Sequence, residues 1–338
     1  MSSRIGRGLG YAILFLLLAS IPYAVSSYFV SIVTEILILG IFALSLNILV
    51  GYTGLVSLGH AAYFGVGAYT TSLFAIHISP NLFVSLLAGL IVSGVVAAVV
   101  GFFCNRVSGF YFLMLTLAFS QMVYVLVYRW SSLTGGDNGL AGVPRPVLAE
   151  GFSMQETGQL YVLVLLVFAL TFLCLKVVLY SPFGRIFVGI RENETRMKAI
   201  GYNPTFYKNA AFILAGGLAG VAGSLYSYFN GFVSPKDMYW TMSGEVLIMV
   251  LIGGAGTLLG PVLGAAFMVV LETIVSSYTD LWMLIVGLTF LLFVIFVPKG
   301  IVGLTWRGKT GRAANRPAPV QVGSGKSVSE AKLERNGV

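Results

Sequence analysis

Residues Leu82–Cys104 read LFVSLLAGLIVSGVVAAVVGFFC, 23 positions without one charged side chain. An apolar helix of about 20 residues crosses the hydrocarbon core of a bilayer, so this stretch is long enough to span it. Searching outward from it for similar runs gives ten segments: Leu9–Val25, Tyr28–Val50, Ser57–Ile76, Leu82–Cys104, Phe110–Tyr128, Gln159–Leu179, Asn209–Phe229, Ser243–Leu258, Pro261–Ser276 and Leu281–Val297. The eighth and ninth are short and separated by Gly253-Gly254-Ala255-Gly256, which leaves open two elements or one long or broken one. Composition agrees: of 338 residues, 57% are apolar and only 9% charged, too few to coat the exterior of a soluble protein. The fold class is all-α, a polytopic membrane protein of about ten transmembrane helices, some short or broken.

The net charge of +8 bears on topology rather than on nucleic acid, because the basic residues gather between the spans. With the N-terminus inside, thirteen fall on the cytoplasmic side, among them Arg106, Arg185, Arg191, Arg196, Lys198 and Lys208, against three outside, Arg129, Arg145 and Lys236. The positive-inside rule therefore places both N- and C-termini in the cytoplasm. Arg4 and Arg7 ahead of an apolar run also resemble a signal peptide, but the length of that run and the span following at once favour a retained helix. Cys104 and Cys174 are too few and too scattered for a disulfide framework or a metal cluster.

Residues 131–158 form a long, turn-rich outer loop containing Gly135-Gly136-Asp137-Asn138-Gly139. Residues 181–208 form the large cytoplasmic loop, and the spacing predicts one short surface helix there. Ser181 caps it, Pro182 opens the first turn, and Gly201 with Asn203-Pro204 ends it. Ile186, Ile190, Met197 and Ile200 share an apolar face, while Glu192 with Arg196 and Glu194 with Lys198 form acid-first pairs on the solvated side. Periodicity alone describes an interfacial helix as well as a docking knob for a cytoplasmic subunit. The chain divides into a membrane domain over residues 1–304 and a Gly-, Pro- and Ser-rich tail over 305–338, read as disordered and cytoplasmic. That tail contains Gly323-Ser324-Gly325-Lys326-Ser327, but Val320 replaces the first glycine of a phosphate-binding loop and no strand precedes it.

The string RENETRMKAIGYN at Arg191–Asn203, followed by YKNAAFILAGGLAGVAGSLYSYF at Tyr207–Phe229, resembles the permeases of branched-chain amino acid ABC importers of the LivM type. ALSLNILVGYTGLVSLGHAAYFGVGAY (Ala43–Tyr69), FYFLMLTLAFSQM (Phe110–Met122), LTGGDNGL (Leu133–Leu140) and EVLIMVLIGGAGTLLGPVLGAAF (Glu245–Phe267) carry the same resemblance in the same order. It implies a permease subunit of an ATP-driven importer in the bacterial inner membrane, without enzymatic activity or cofactor of its own. Its implied partners are a second, LivH-type permease, two cytoplasmic ATPase subunits and an extracytoplasmic substrate-binding protein. It further implies that Arg191, Glu192, Asn193, Glu194, Ala199 and Gly201 form the element that couples to the ATPase. The implied cargo is a branched-chain or other hydrophobic amino acid, with urea, amides or aromatic acids as alternatives.

Glycines concentrate at Gly51–Gly67 and Gly216–Gly264. Absent side chains there serve close helix packing, or a broken helix lining the translocation path at Gly51, Gly54 and Gly59. Asn47, His60 and Gln121 are polar residues within the spans and complete the candidate path, with inter-helix hydrogen bonding as the other reading. Glu35, Glu245 and Glu272 lie near the outer boundary, where interfacial solvation or pairing accounts for them. Acids and bases forming a mid-membrane relay are missing from the sequence, which weighs against a stand-alone proton-coupled carrier.

Overall fold

A computed structural model describes residues 25–79, 81–149, 152–153, 156–279, 281–297 and 300–305, with residues 18, 20 and 22. Most of the first expected span, Leu9–Val25, and the tail from Trp306 onward lie outside the described residues. The nine other expected spans are all helical. They are α1 (Ser27–Asn47), α2 (His60–His77), α3 (Leu82–Cys104), α4 (Phe110–Arg129), α6 (Thr157–Tyr180), α9 (Pro204–Asn230), α10 (Trp240–Gly253), α11 (Gly260–Ser276) and α12 (Trp282–Phe296). Five helical stretches are long and apolar enough to cross a membrane: Ser27–Thr53, Leu82–Cys104, Phe110–Arg129, Thr157–Tyr180 and Pro204–Asn230.

The centre of the bundle is α9, packed on α1, α2 and α3, and small residues let the backbones approach. A methyl group on Gly223 would lie 1.9 Å from the Phe64 carbonyl oxygen, and one on Gly220 1.9 Å from Ser93 Oγ. Hydroxyls join α9 to α2 and α3. Thr71 Oγ1 donates to Ser224 Oγ at 2.7 Å, and Ser85 Oγ and the Tyr228 hydroxyl are hydrogen-bonded at 2.6 Å. α1 and α9 are therefore mostly buried, whereas α3, α4, α6 and α12 turn broad rows of Leu, Val and Phe outward.

The alternative left open at Gly253–Gly256 resolves as two antiparallel helices. α10 and α11 pack so closely that methyl groups on Gly253 and Gly264 would lie 1.9 Å from the Gly260 and Met249 carbonyl oxygens. The 14 residues of α10 extend only about 21 Å, short of a core about 30 Å thick.

The turn-rich loop over 131–158 also holds α5 (Ser131–Thr134) and the short strands β1 (Leu140–Ala141), β2 (Val147–Ala149) and β3 (Phe152–Ser153). β1 pairs antiparallel with β4 (Phe232–Val233), pinning the loop to the end of α9, and β2 pairs with β3. The single helix expected over 181–201 is two, α7 (Pro182–Glu192) and α8 (Glu194–Ala199). The break is Asn193, whose extended backbone and side chain, accepting from Arg196 N–H at 2.9 Å, start a new helix instead of continuing the old one.

Candidate functional site

Ser181 caps α7 by accepting from Phe183 N–H at 3.1 Å, with Pro182 in the first turn. Gly201, at φ +92°, ends α8, and the Tyr202 N–H closes the turn on the Met197 carbonyl at 3.1 Å. α8 folds back on α7 through Met197, whose sulfur would meet a methyl group on Gly189 at 2.7 Å. The expected apolar face is only partly formed: Ile190 and Met197 are buried, but Ile200 is 62% exposed and Phe187 fills the core instead.

Of the expected charge pairs, Glu194 meets Lys198 at 3.0 Å. Glu192 and Arg196 fall on different helices, because the break at Asn193 removes the i, i+4 relation. Nor is Glu194 confined to the solvated side, since its other carboxylate oxygen accepts from Lys208 Nζ at 2.6 Å and Lys208 is buried at the foot of α9. Burial pushes the Glu194 carboxyl upward, but hydrogen bonds and charge from Lys208 and Lys198 outweigh it and hold the group below the ordinary value of 4.5. The α7–α8 element is thus a capped, clamped projection on which Glu192, Asn193, Ala199 and Gly201 are exposed.

Arg191 is exposed on the same projection, but its guanidinium also reaches back onto the chain. Its Nη1 donates to the Gly51 carbonyl, and its side-chain carbons lie against Gly54, where a methyl group would be 3.0 Å from Cγ. Gly51 belongs to a widened π-helical stretch, Ile48–Thr53, that extends α1 and is closed by Gly54 at φ +74°. The irregular backbone runs from Gly54 to Gly59 only. Protein covers that backbone where Leu58 N–H donates to Thr116 Oγ1 at 3.3 Å, and at the start of α2 Ala61 N–H donates to Ser243 Oγ of α10 at 2.9 Å.

Asn47 joins this stretch to the turn between α10 and α11. Its Oδ1 accepts from Gly256 N–H at 2.9 Å and its Nδ2 donates to the Thr257 carbonyl at 2.8 Å. A methyl group on Gly51 would be 2.4 Å from Gly256 N, and one on Gly256 3.3 Å from Arg191 Nη1. Gly300, opening α13 (Gly300–Thr305), abuts Gly254 of the same turn. The structure therefore brings Asn47, Gly51, Gly54 and Arg191 into one cluster with Gly256 and Thr257.

The remaining path candidates lie apart from that cluster. Gly59 packs on the Thr116 backbone, 2.6 Å from where its methyl group would be. His60 is fully buried, bonded to Ser45 Oγ at 2.8 Å and stacked on Phe42. Gln121 is half-buried on α4, with Nε2 unpartnered. A polar cavity of about 360 Å³ between α1 and α11 is lined by Tyr28, Glu35, Glu272, Thr273, Ser276 and Ser277, with Val269. Sequence reasoning missed Lys208 and Thr257 as site residues. It placed Lys208 only as a topological charge and saw in residues 253–256 a break without a partner.

The family model described as branched-chain amino acid transport system, permease component, matches residues 28–294. The high-affinity branched-chain amino acid transport system permease protein LivM of Salmonella typhimurium is 31% identical, covering 88% of this chain and 76% of the relative. LivM of Escherichia coli is 30% identical over 84% of this chain and 72% of its own. The permease protein LivH of Salmonella typhimurium is 28% identical over 46% of this chain and 51% of its own. No solved structure matches.

Proposed function

Because the chain belongs to the branched-chain amino acid transport permease family, we propose that it is the membrane-spanning subunit through which an ATP-driven importer moves leucine, isoleucine, valine or a similar amino acid inward. It sits in the inner membrane of a bacterium with both termini and the α7–α8 element on the cytoplasmic side, the orientation supported by its basic residues. Its partners are a LivH-type permease, two ATPase subunits and an extracytoplasmic binding protein that delivers the cargo. ATP is bound and hydrolysed on the separate subunits.

The observation that carries this reading is the build of α7–α8. It is capped at both ends, held to α9 by Lys208, and presents Glu192, Asn193 and Ala199 outward. A lever needs that stiffness, because a flexible loop would absorb the motion of its partner. Glu192→Lys tests it. The variant is expected to insert normally, to lose the ATPase subunits on purification and to take up no leucine in membrane vesicles. Full uptake with a normal complement of ATPase would remove α7–α8 from the coupling role. The path runs beside Asn47, Gly51, Gly54 and Gly59, with His60 and Gln121 contributing as helices move.

A further inference from the structure

The outward faces of the spans differ in chemistry. On α3 each exposed side chain is apolar, Leu87, Ile91, Val95 and Val99 among them, and both serines, Ser85 and Ser93, are buried. α6 likewise shows Leu166, Leu170, Leu173 and Val177 and buries Thr171. Such surfaces suit lipid tails, which offer no hydrogen bond.

A second face carries polar groups. Gln121, Tyr124 and Tyr128 recur at helical spacing on α4, and Tyr124 packs on Tyr239 just before α10, with 5.1 Å between ring centres. Gln121 Nε2 has no partner. α10 packs on α11 and α11 on α1, where Glu35 and Glu272 line the cavity of about 360 Å³ with Ser276 and Ser277. Glu272 also repels Glu245 of α10. Among the described residues no lysine or arginine pairs with these three acids. Gln121 and Glu35 each lie about 12 Å inside the outer end of their helix. An unpaired amide donor or carboxylate at that depth needs protein or water against it rather than hydrocarbon. The described N-terminal residues lie elsewhere: the Leu18 carbonyl accepts from the Tyr161 hydroxyl of α6 at 2.7 Å, and Pro22 sits beside Gly158.

We propose that the face formed by α4, the start of α10 and the outer halves of α11 and α1 is the one this chain presents to the second permease, while α3 and α6 face lipid. The inference rests on the importer reading above and adds which surface joins the two permeases. Of the partners in that complex only the second permease reaches this depth, because the ATPase subunits and the binding protein lie outside the bilayer. Charge complementarity sets what it brings: an acceptor for Gln121 Nε2 and a basic side chain for the cavity of Glu35 and Glu272.

The test uses the complete complex in membranes, with the photo-cross-linker benzoylphenylalanine placed in turn at positions 124, 276, 87 and 170 and a tag on the second permease. Positions 124 and 276 are expected to give an adduct with the second permease, and positions 87 and 170 none. Tyr124 and Ser276 sit on different helices, so a poorly folding variant at one leaves the other to decide. An adduct from 87 or 170, or none from both 124 and 276, overturns the proposal. The charge pairing is read separately. Glu35→Gln combined with Glu272→Gln keeps side-chain shape and is expected to lower the second permease retained on purification at least fivefold, and unchanged retention overturns the proposal as well. Failure of the importer reading is distinct, since the second permease would then not co-purify with the unsubstituted chain at all.

Discussion

The side-chain amide of Asn47 grips the backbone of two consecutive residues 209 and 210 positions further along the chain, accepting from Gly256 N–H and donating to the Thr257 carbonyl. The Asn47 side chain is itself buried. Asn47→Ala leaves both groups unsatisfied, each worth about 1–3 kcal/mol. Asn47→Asp keeps an acceptor for Gly256 but turns a carboxylate oxygen toward the Thr257 carbonyl. Thermal unfolding in detergent should show both variants destabilised, and a transition unmoved by Asn47→Ala would mean that the grip contributes nothing.

Close packing of α9 predicts a contrast between two glycines. Gly223→Ala forces a methyl group against the Phe64 backbone, which cannot move aside as a flexible side chain would, and should cost about 1–3 kcal/mol. Gly217→Ala meets only ordinary contacts, the nearest being the Leu90 carbonyl oxygen at 3.5 Å. It should be neutral or gain up to about 1 kcal/mol from helix propensity. Comparing their unfolding transitions checks the pair.

Lys208 fixes α8 to the foot of α9, so Lys208→Met should expose residues 193–201 to proteases several-fold faster while the spans stay protected. The tie should also respond to acid. Its carboxyl lies below 4.5 in the folded chain, so the ionised form stabilises the fold fully above 4.5 and is lost as pH falls through the depressed value. Protease sensitivity at α8 should be flat from neutral pH to 5 and rise only in stronger acid. A rise between pH 7 and 6 would assign the tie to another group.

Gly201→Pro should abolish uptake with insertion intact. Gly201 has φ +92° and its N–H donates to the Lys198 carbonyl at 3.0 Å, and proline can supply neither. Uptake assays beside a membrane-fraction blot separate loss of function from loss of protein.

The long apolar helices are legible in the sequence because hydrophobic length is a local property, and the helix Leu82–Cys104 has the bounds the sequence predicts. The caps at Ser181 and Gly201 were legible for the same reason. Asn193 was misread because an asparagine is compatible with a helix face until its side chain finds a backbone N–H, and which of these wins is settled by where α8 must dock. Lys208, Thr257 and the hold of Arg191 on the Gly51 carbonyl depend on contacts across 14 to 210 residues, and no periodicity announces those. The glycine runs signalled that something approaches closely without saying what: Gly51 meets Gly256, and Gly220 meets Ser93.

The most direct test of the account is uptake of radiolabelled leucine by proteoliposomes containing this chain, a LivH-type permease and the two ATPase subunits, with binding protein outside and ATP within. Uptake is predicted to require both ATP and the ATPase subunits and to survive an uncoupler. Uptake that persists without those subunits and collapses with the uncoupler would contradict it.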